Sequence, residues 1–257
     1  MRHDHFSARA AGYAAYRPSY PPALFSYLAR LAPARRAAWD CATGNGQAAL
    51  GLADHFARIL ATDASAAQLA HALPHERVTY REARAESSGL PAESVDLVTV
   101  AQALHWLDLD PFFAEAKRVL VPGGVIAAWS YGSASPDAAS LGEVFSTFEH
   151  ETVGPWWPAE RRLVIEGYRT IPFPFREHTP PPFTLRCDWT LDELVGYAGT
   201  WSGTARYVAG TRHDPLPELR RRLAVSWGDP ARRRTIRWPL ALRVGVAEGR
   251  AGEVALG

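Results

Sequence analysis

Ala37-Ala38-Trp39-Asp40-Cys41-Ala42-Thr43-Gly44-Asn45-Gly46-Gln47-Ala48-Ala49 is the stretch whose reading decides the fold. Its first six residues are short and largely apolar, as in a buried strand, and Gln47 to Ala53 has helical composition. Two glycines lie between them. Glycine there lets the backbone approach a ligand, and a helix start offers free N–H groups to a negative group. Taken alone, Gly44-Asn45-Gly46 is equally a tight strand-to-helix turn, and with Ala49 it fits the GxGxxG/A pattern of a dinucleotide site. The rest of the chain has to separate these readings.

The alternation continues outward from the loop. Arg58 to Thr62 reads as a second strand, Ser65 to Ala72 as a helix, Arg77 to Arg81 as a third strand and Val95 to Ala101 as a fourth. Leu109 to Leu120 is an amphipathic helix with Phe112, Phe113, Ala116, Val119 and Leu120 on one side. Pro122-Gly123-Gly124 stops it before a fifth strand, Val125 to Trp129. Such alternation predicts an α/β fold, a parallel sheet with helices on both faces. From Pro155 to Pro182 the chain turns rich in proline and aromatics, as in an inserted cap, and Arg234 to Val246 alternates as a late strand.

Composition bounds the function. With 257 residues, 47% hydrophobic and 21% charged, the chain can bury a real core. A net charge of +1 gives no reason to expect a broad nucleic-acid or membrane footprint, so the expected partner is a small molecule, with the protein a monomer or homodimer. The only cysteines, Cys41 and Cys187, have neither CxxC spacing nor His/Cys neighbours in ligand register, so no disulfide framework and no metal is expected. Met1-Arg2-His3-Asp4-His5 opens without an apolar run, and no stretch approaches the roughly 18–20 apolar residues that span a bilayer; the expected location is cytoplasmic.

Asp63, at the tip of the second strand and 17 residues beyond Gly46, has the position and chemistry to accept two ribose hydroxyls, or to cap the helix near Ser65. A nicotinamide-dependent oxidoreductase of the short-chain type would need Tyr-x-x-x-Lys; Lys117 is the chain's only lysine and Phe113 stands four residues before it. A P-loop enzyme is excluded because no Gly-Lys-Ser/Thr follows the glycines.

At this point a resemblance enters. Trp39 to Gln47, with an acidic residue four before the GxG, resembles the first motif of class I S-adenosylmethionine-dependent methyltransferases. Ala85-Glu86 and Leu90 to Val98 resemble the family's third and fourth motifs, and Arg118 to Gly124 resembles its helix end before strand five. More narrowly, Tyr13 to Pro21, Ala101 to Trp106 and Gly199 to Ser202 resemble the methyltransferase type 11, trans-aconitate methyltransferase-like group. One departure is Ala42, where many relatives carry glycine.

The resemblance implies a Rossmann-like class I fold: a seven-stranded, mostly parallel sheet with helices on both faces and a small cap, in one domain over 1–257. Within it, 1–35 would be an N-terminal helical segment over the donor site, 36–135 the donor-binding core, 136–230 the cap and substrate region, and 231–257 a late strand and tail. It implies S-adenosylmethionine as cofactor, S-adenosylhomocysteine as product, and no metal. Asp40 would orient the loop or meet the methionyl ammonium, with Ala42, Gly44 and Gly46 against the donor. Asp63 would hold the ribose, Ala64 would lie under the adenine, and Ala85 with Glu86 would border its amine. Gln102 would stand near the methionyl part, and Arg17 would close on its carboxylate.

On the substrate side, His105 is the candidate base or substrate contact, with a structural histidine the competing reading. Tyr13, Trp106, Tyr131, Trp156, Trp157 and Trp201 are candidate walls, Trp129 and Tyr207 weaker ones, while Arg161 and Arg162 either clamp an acidic substrate or are solvated charge. In-line transfer from a sulfonium can draw most of its acceleration from positioning, so a base is optional. The acceptor would be a small molecule, a carboxylate or a hydroxyl. The alternative is a catalytically silent module that keeps the fold and binds the donor or a protein partner.

Overall fold

In the computed structural model residues 16–248 are described. A first helix, α1 (Pro22–Leu31), precedes β1 (Ala37–Cys41), and all five residues of β1 are buried, as a central parallel strand requires. After the glycine loop come α2 (Gln47–Ala53), β2 (Arg58–Asp63), the short α3 (Ala66–Leu69), β3 (Val78–Glu82) and β4 (Val95–Ala101). A 3-10 turn (Leu104–Trp106), α4 (Leu109–Val119) and β5 (Leu120–Tyr131) complete this half.

The second half contains β6 (Ser135–Pro136), α5 (Ala139–Thr147), α6 (Arg161–Ile165), β7 (Arg176–His178) and β8 (Phe183–Trp189), followed by α7 (Leu191–Gly199), α8 (Ser202–Thr211), α9 (Leu216–Trp227) and β9 (Arg234–Val246). The sheet runs β3-β2-β1-β4-β5-β9. β9 is antiparallel to β5 along one edge and to β7 and β8 along the other, and it meets the two-residue β6 near its start. The expected seven strands are β1–β5, β8 and β9; β6 and β7, of two and three residues, bring the count among the described residues to nine.

Side chains alternate across the sheet with a period of two. Ala38, Ile59, Ala61, Leu97 and Trp129 face one core with Leu24, Leu28 and Leu52; Trp39, Cys41, Val98, Val100 and Ala128 face the other with Phe112, Phe113 and Ala116. The chain leaves β1 toward β2 and β3, then returns to build β4 and β5 on the opposite side. That reversal opens a crevice beyond the carboxyl ends of β1 and β4, where open α/β sheets bind ligands.

Three local expectations change. The helix read over Ser65 to Ala72 is only the four residues of α3: Ser65 caps it by accepting from the Gln68 amide, and Pro74 follows closely. Strand five extends back through Pro122-Gly123-Gly124, with Gly123 at φ +74° and a register shift opposite Val95 and Leu97 absorbing the turn residues. The segment from Pro155 to Pro182 adds β7 to the sheet edge against Val244 to Val246, so it is not wholly a cap.

Candidate active site

The loop after β1 is built on left-handed backbone, with Ala42 at φ +54°, Gly44 at +59° and Gly46 at +86°. Ala42 holds there a conformation that costs an L-residue roughly 1–2 kcal/mol, which marks the loop as strained. Asp40 beneath it is fully buried and accepts from Thr43 Oγ1 at 2.5 Å and from Thr99 Oγ1 at 2.6 Å, tying loop to β4. Burial pushes the Asp40 carboxyl up to about 6, against the lowering effect of those two hydroxyls. Asp63 braces the loop from the other side: Oδ2 accepts from the Gly44 amide at 2.8 Å and Oδ1 from the Ser65 amide at 2.9 Å.

Above the loop lies a cleft of about 280 Å³. Of the donor-side residues singled out in the sequence, Arg17, Ala42, Gly44, Asp63, Ala64, Ala85 and Gln102 line it, and Trp106 and Tyr131 join them. Asp40, Gly46 and Glu86 stand off its walls. Asp40 acts through Thr43, Gly46 backs onto Tyr80, and the Glu86 carboxylate takes the Arg84 guanidinium at 3.0 Å. The sequence reading passed over Tyr20, Thr43, Asn45, Gln47, Gln68 and Ala83, which also line the cleft.

Gln102 is placed with unusual rigidity. It sits at φ +56° just past β4, donates from Nε2 to the Tyr131 carbonyl at 3.0 Å, and accepts at Oε1 from the Tyr131 amide at 3.2 Å. Arg17 reaches in from the N-terminal side, donating to the Tyr131 hydroxyl at 3.2 Å, with its guanidinium carbon 5.9 Å from the Tyr197 ring centroid.

A smaller cavity of about 100 Å³ adjoins the cleft and shares Arg17, Gln102, Trp106 and Tyr131 with it. His105, Trp157, Arg161, Tyr197, Thr200 and Trp201 complete much of its wall. His105 Nδ1 lies 2.9 Å from the Tyr168 hydroxyl. Burial, helped by the Arg161 charge, lowers its pKa to about 4, so the ring is neutral at pH 7 and a weak base. Arg161 stacks 3.6 Å over Trp157 and pairs with Glu149, a buried carboxylate that also accepts from Ser133 Oγ at 2.9 Å. Burial lowers the Arg161 pKa, with the neighbouring Glu149 carboxylate acting the other way.

The two adjacent arginines therefore part company: Arg161 faces the cavity, and Arg162 is exposed beside Glu166 at 3.8 Å. The paired tryptophans do likewise. Trp157 walls the cavity, while Trp156 packs edge-on against Tyr207 at 5.8 Å on α8. Trp129 is core, fully buried and 5.4 Å from Tyr20. Tyr13 lies outside the described residues. Tyr197 went unread because it looks like any core aromatic of α7; Thr200 stood in a quoted motif without a role. Among the described residues no cluster of His, Cys, Asp and Glu could hold a metal ion, and no helix is long and apolar enough to cross a membrane.

Comparison with known proteins agrees with this geometry. A family model described as a methyltransferase domain matches residues 39–128, from β1 to β5. A methyltransferase of Dictyostelium discoideum is 33% identical over 230 residues, covering 87% of this chain and 86% of its own. A methyltransferase of Mycobacterium tuberculosis is 32% identical over 231 residues, 86% of each chain. A solved structure described as a type II methyltransferase, from Anaeromyxobacter dehalogenans, superposes with a TM-score of 0.86 at 46% identity, covering 91% of this chain and 99% of its own. With that likeness spanning nearly the whole chain, and a strained glycine loop and acidic strand tip at the sheet's switch point, the protein belongs to the class I S-adenosylmethionine-dependent methyltransferases.

Proposed function

We propose that the protein transfers a methyl group to a small acceptor held in the smaller cavity, through an oxygen nucleophile, a carboxylate before a hydroxyl. The observation that carries this reading is the junction: the two cavities meet at Arg17, Gln102, Trp106 and Tyr131, so a donor in one and an acceptor in the other come together across a shared wall. Bound S-adenosylmethionine supplies a methyl on a sulfonium, which leaves a neutral thioether when an in-line nucleophile takes it. Gly44 suits the donor because a Cβ there would stand on the cleft wall, with only Gln68 Oε1 near it at 3.9 Å.

In this reading Asp63 holds the ribose, Ala64 and Ala85 flank the adenine, and Arg17 takes the methionyl carboxylate. Asp40 keeps the loop in shape through Thr43. Trp106 and Tyr131 exclude water where the methyl crosses. A carboxylate fits the acceptor side best. It is already a nucleophile at pH 7, it complements Arg161, and it needs no proton removed by a histidine as weakly basic as His105.

The test has two arms. Calorimetry should show saturable S-adenosylmethionine binding to the purified chain. Label from a methyl-tritiated donor should then pass to members of a panel of small carboxylic acids, giving esters that mild base cleaves. A folded protein that does not bind the donor overturns the assignment; transfer to phenols alone overturns the carboxylate.

A further inference from the structure

We propose that Tyr168 is a positioning residue: its hydroxyl donates to Nδ1 of His105 and locks the ring with its proton on Nε2, so that His105 meets the acceptor as a hydrogen-bond donor and not as a base. The proposal rests on the reading that the smaller cavity takes the acceptor, and it assigns a role to a residue outside both cavity walls.

Distance alone leaves the direction of the 2.9 Å contact open, since a neutral imidazole can donate or accept. Chemistry closes it. A phenol is the stronger donor of the pair and a bare imidazole nitrogen the stronger acceptor. The Tyr168 hydroxyl is fully buried, and its proton has Nδ1 within hydrogen-bond reach. Nδ1 is thereby consumed, and the edge of the ring left for the cavity carries N–H.

The placement of Tyr168 is over-determined. It follows Gly167 at the end of α6, and both residues sit at φ +61°, a conformation that a tyrosine holds only when its surroundings impose it. Its amide donates to the Leu163 carbonyl at 2.8 Å, and its carbonyl accepts from Arg243 Nη1 of β9 at 2.8 Å. Arg243 also holds the Ile171 carbonyl at 2.6 Å and pairs with Glu177 of β7. A Cβ on Gly167 would come within 2.8 Å of Ala241 Cβ, so β9 backs the whole turn. The late strand thus reaches His105 through Tyr168.

The charges around the ring point the same way. Arg161 on α6 and Arg17 from the N-terminal side share its cavity with the Tyr131 and Tyr197 side chains, and Glu149 is taken up by Arg161. Among the described residues nothing there stabilises an imidazolium, so proton transfer from an acceptor to His105 would add a cation beside Arg17 and the Arg161–Glu149 pair.

Nitrogen NMR on the full chain with isotope-labelled histidine reads the tautomer without a substrate, and the His105 signals are assigned by their loss in His105→Gln. The wild type should show a neutral ring protonated at Nε2 at pH 7, and Tyr168→Phe should move that signature to a mixture of both tautomers. A proton on Nδ1, an imidazolium at pH 7, or an unchanged tautomer in folded Tyr168→Phe would overturn the proposal. If Tyr168→Phe does not fold, the wild-type spectrum decides alone. Calorimetry of S-adenosylmethionine on the same sample separates this from the functional reading: donor binding with an Nδ1–H ring defeats the tautomer only, and an Nε2–H ring without donor binding defeats the donor site only.

Discussion

A methyl group added at Gly46 would lie 2.4 Å from the Tyr80 hydroxyl oxygen, whereas one at Gly44 meets only Gln68 Oε1 at 3.9 Å. The two glycines of one loop therefore answer to different demands, the first, on the proposed reading, to the donor and the second to Tyr80. Gly46→Ala should cost about 2–4 kcal/mol in urea unfolding, from backbone strain plus overpacking. Gly44→Ala should cost only the strain, about 1–2 kcal/mol, yet weaken donor binding roughly tenfold, about 1.4 kcal/mol, in calorimetry. Asp63→Ala should weaken the donor by about 1.5–3 kcal/mol through a lost charge-assisted hydrogen bond; unchanged affinity in a folded variant would remove Asp63 from the donor site. Asp40 gives a pH signature. Its folded pKa of about 6 lies above the unfolded value, so between about pH 4 and pH 6 the native state binds more protons and loses stability as pH rises. Asp40→Asn should abolish a decline on the order of 2–3 kcal/mol across that window, measured as the difference between the two unfolding curves. At this scale the sequence was legible wherever a residue's position follows from its own chemistry and its place after a strand, as for Gly44 and Asp63, which both line the cleft. It was silent on Gly46, because the obstacle is Tyr80, more than thirty residues away.

At the scale of elements, α6 carries the sharpest consequence. It turns Arg161 inward onto Glu149 and Trp157 while Arg162, the next residue, points to water. Arg161→Met should strand the Glu149 carboxylate in the interior and destabilise the protein by about 3–5 kcal/mol. Adding Glu149→Gln should recover much of that loss, and a double-mutant cycle in thermal unfolding reads the coupling directly. A loss in the single variant that the double does not relieve would mean that the pair is not coupled. The elements of the first half were legible because β1 and β4 are short, largely apolar runs and α4 shows its own period. β8 was visible in principle, since Leu185 and Trp189 are buried two and six residues along an alternating pattern, but the prolines just before it masked its start. α3 was over-read because alanine-rich composition favours helix while Pro74 limits it.

For the whole molecule, β9 is the strand that backs the smaller cavity, through Trp238 against Tyr131 and Tyr197. It pairs with β5 on one side and with β7 and β8 on the other. Its Trp238 donates to the Tyr197 hydroxyl at 3.1 Å and lies within 5.1–6.4 Å of the Trp189, Tyr197 and Tyr131 rings. Tyr197 continues the chain of rings to Trp201, and Trp201 to Trp157, so the wall of the smaller cavity and the late strand form one packed unit. Trp238→Ala should cost about 3–5 kcal/mol in stability. It should also depress methyl transfer more than donor affinity, because it loosens Tyr131 and Tyr197 while leaving the glycine loop alone; equal losses in both would deny the separation.

The sequence by itself determined the donor half: the alternating strands and helices, the glycine loop, the acidic strand tip and the family they resemble. These are contiguous, and periodicity and loop chemistry act over a few residues. Only the tertiary structure decided the smaller cavity, the proposed acceptor site. Arg17, His105, Tyr131, Trp157, Arg161, Tyr197 and Trp201 come from five separate places along the chain and meet only once it is folded. Which of two neighbouring arginines faces inward, and which nitrogen of His105 is consumed by Tyr168, depend on partners brought by the fold, and neither composition nor spacing carries that information.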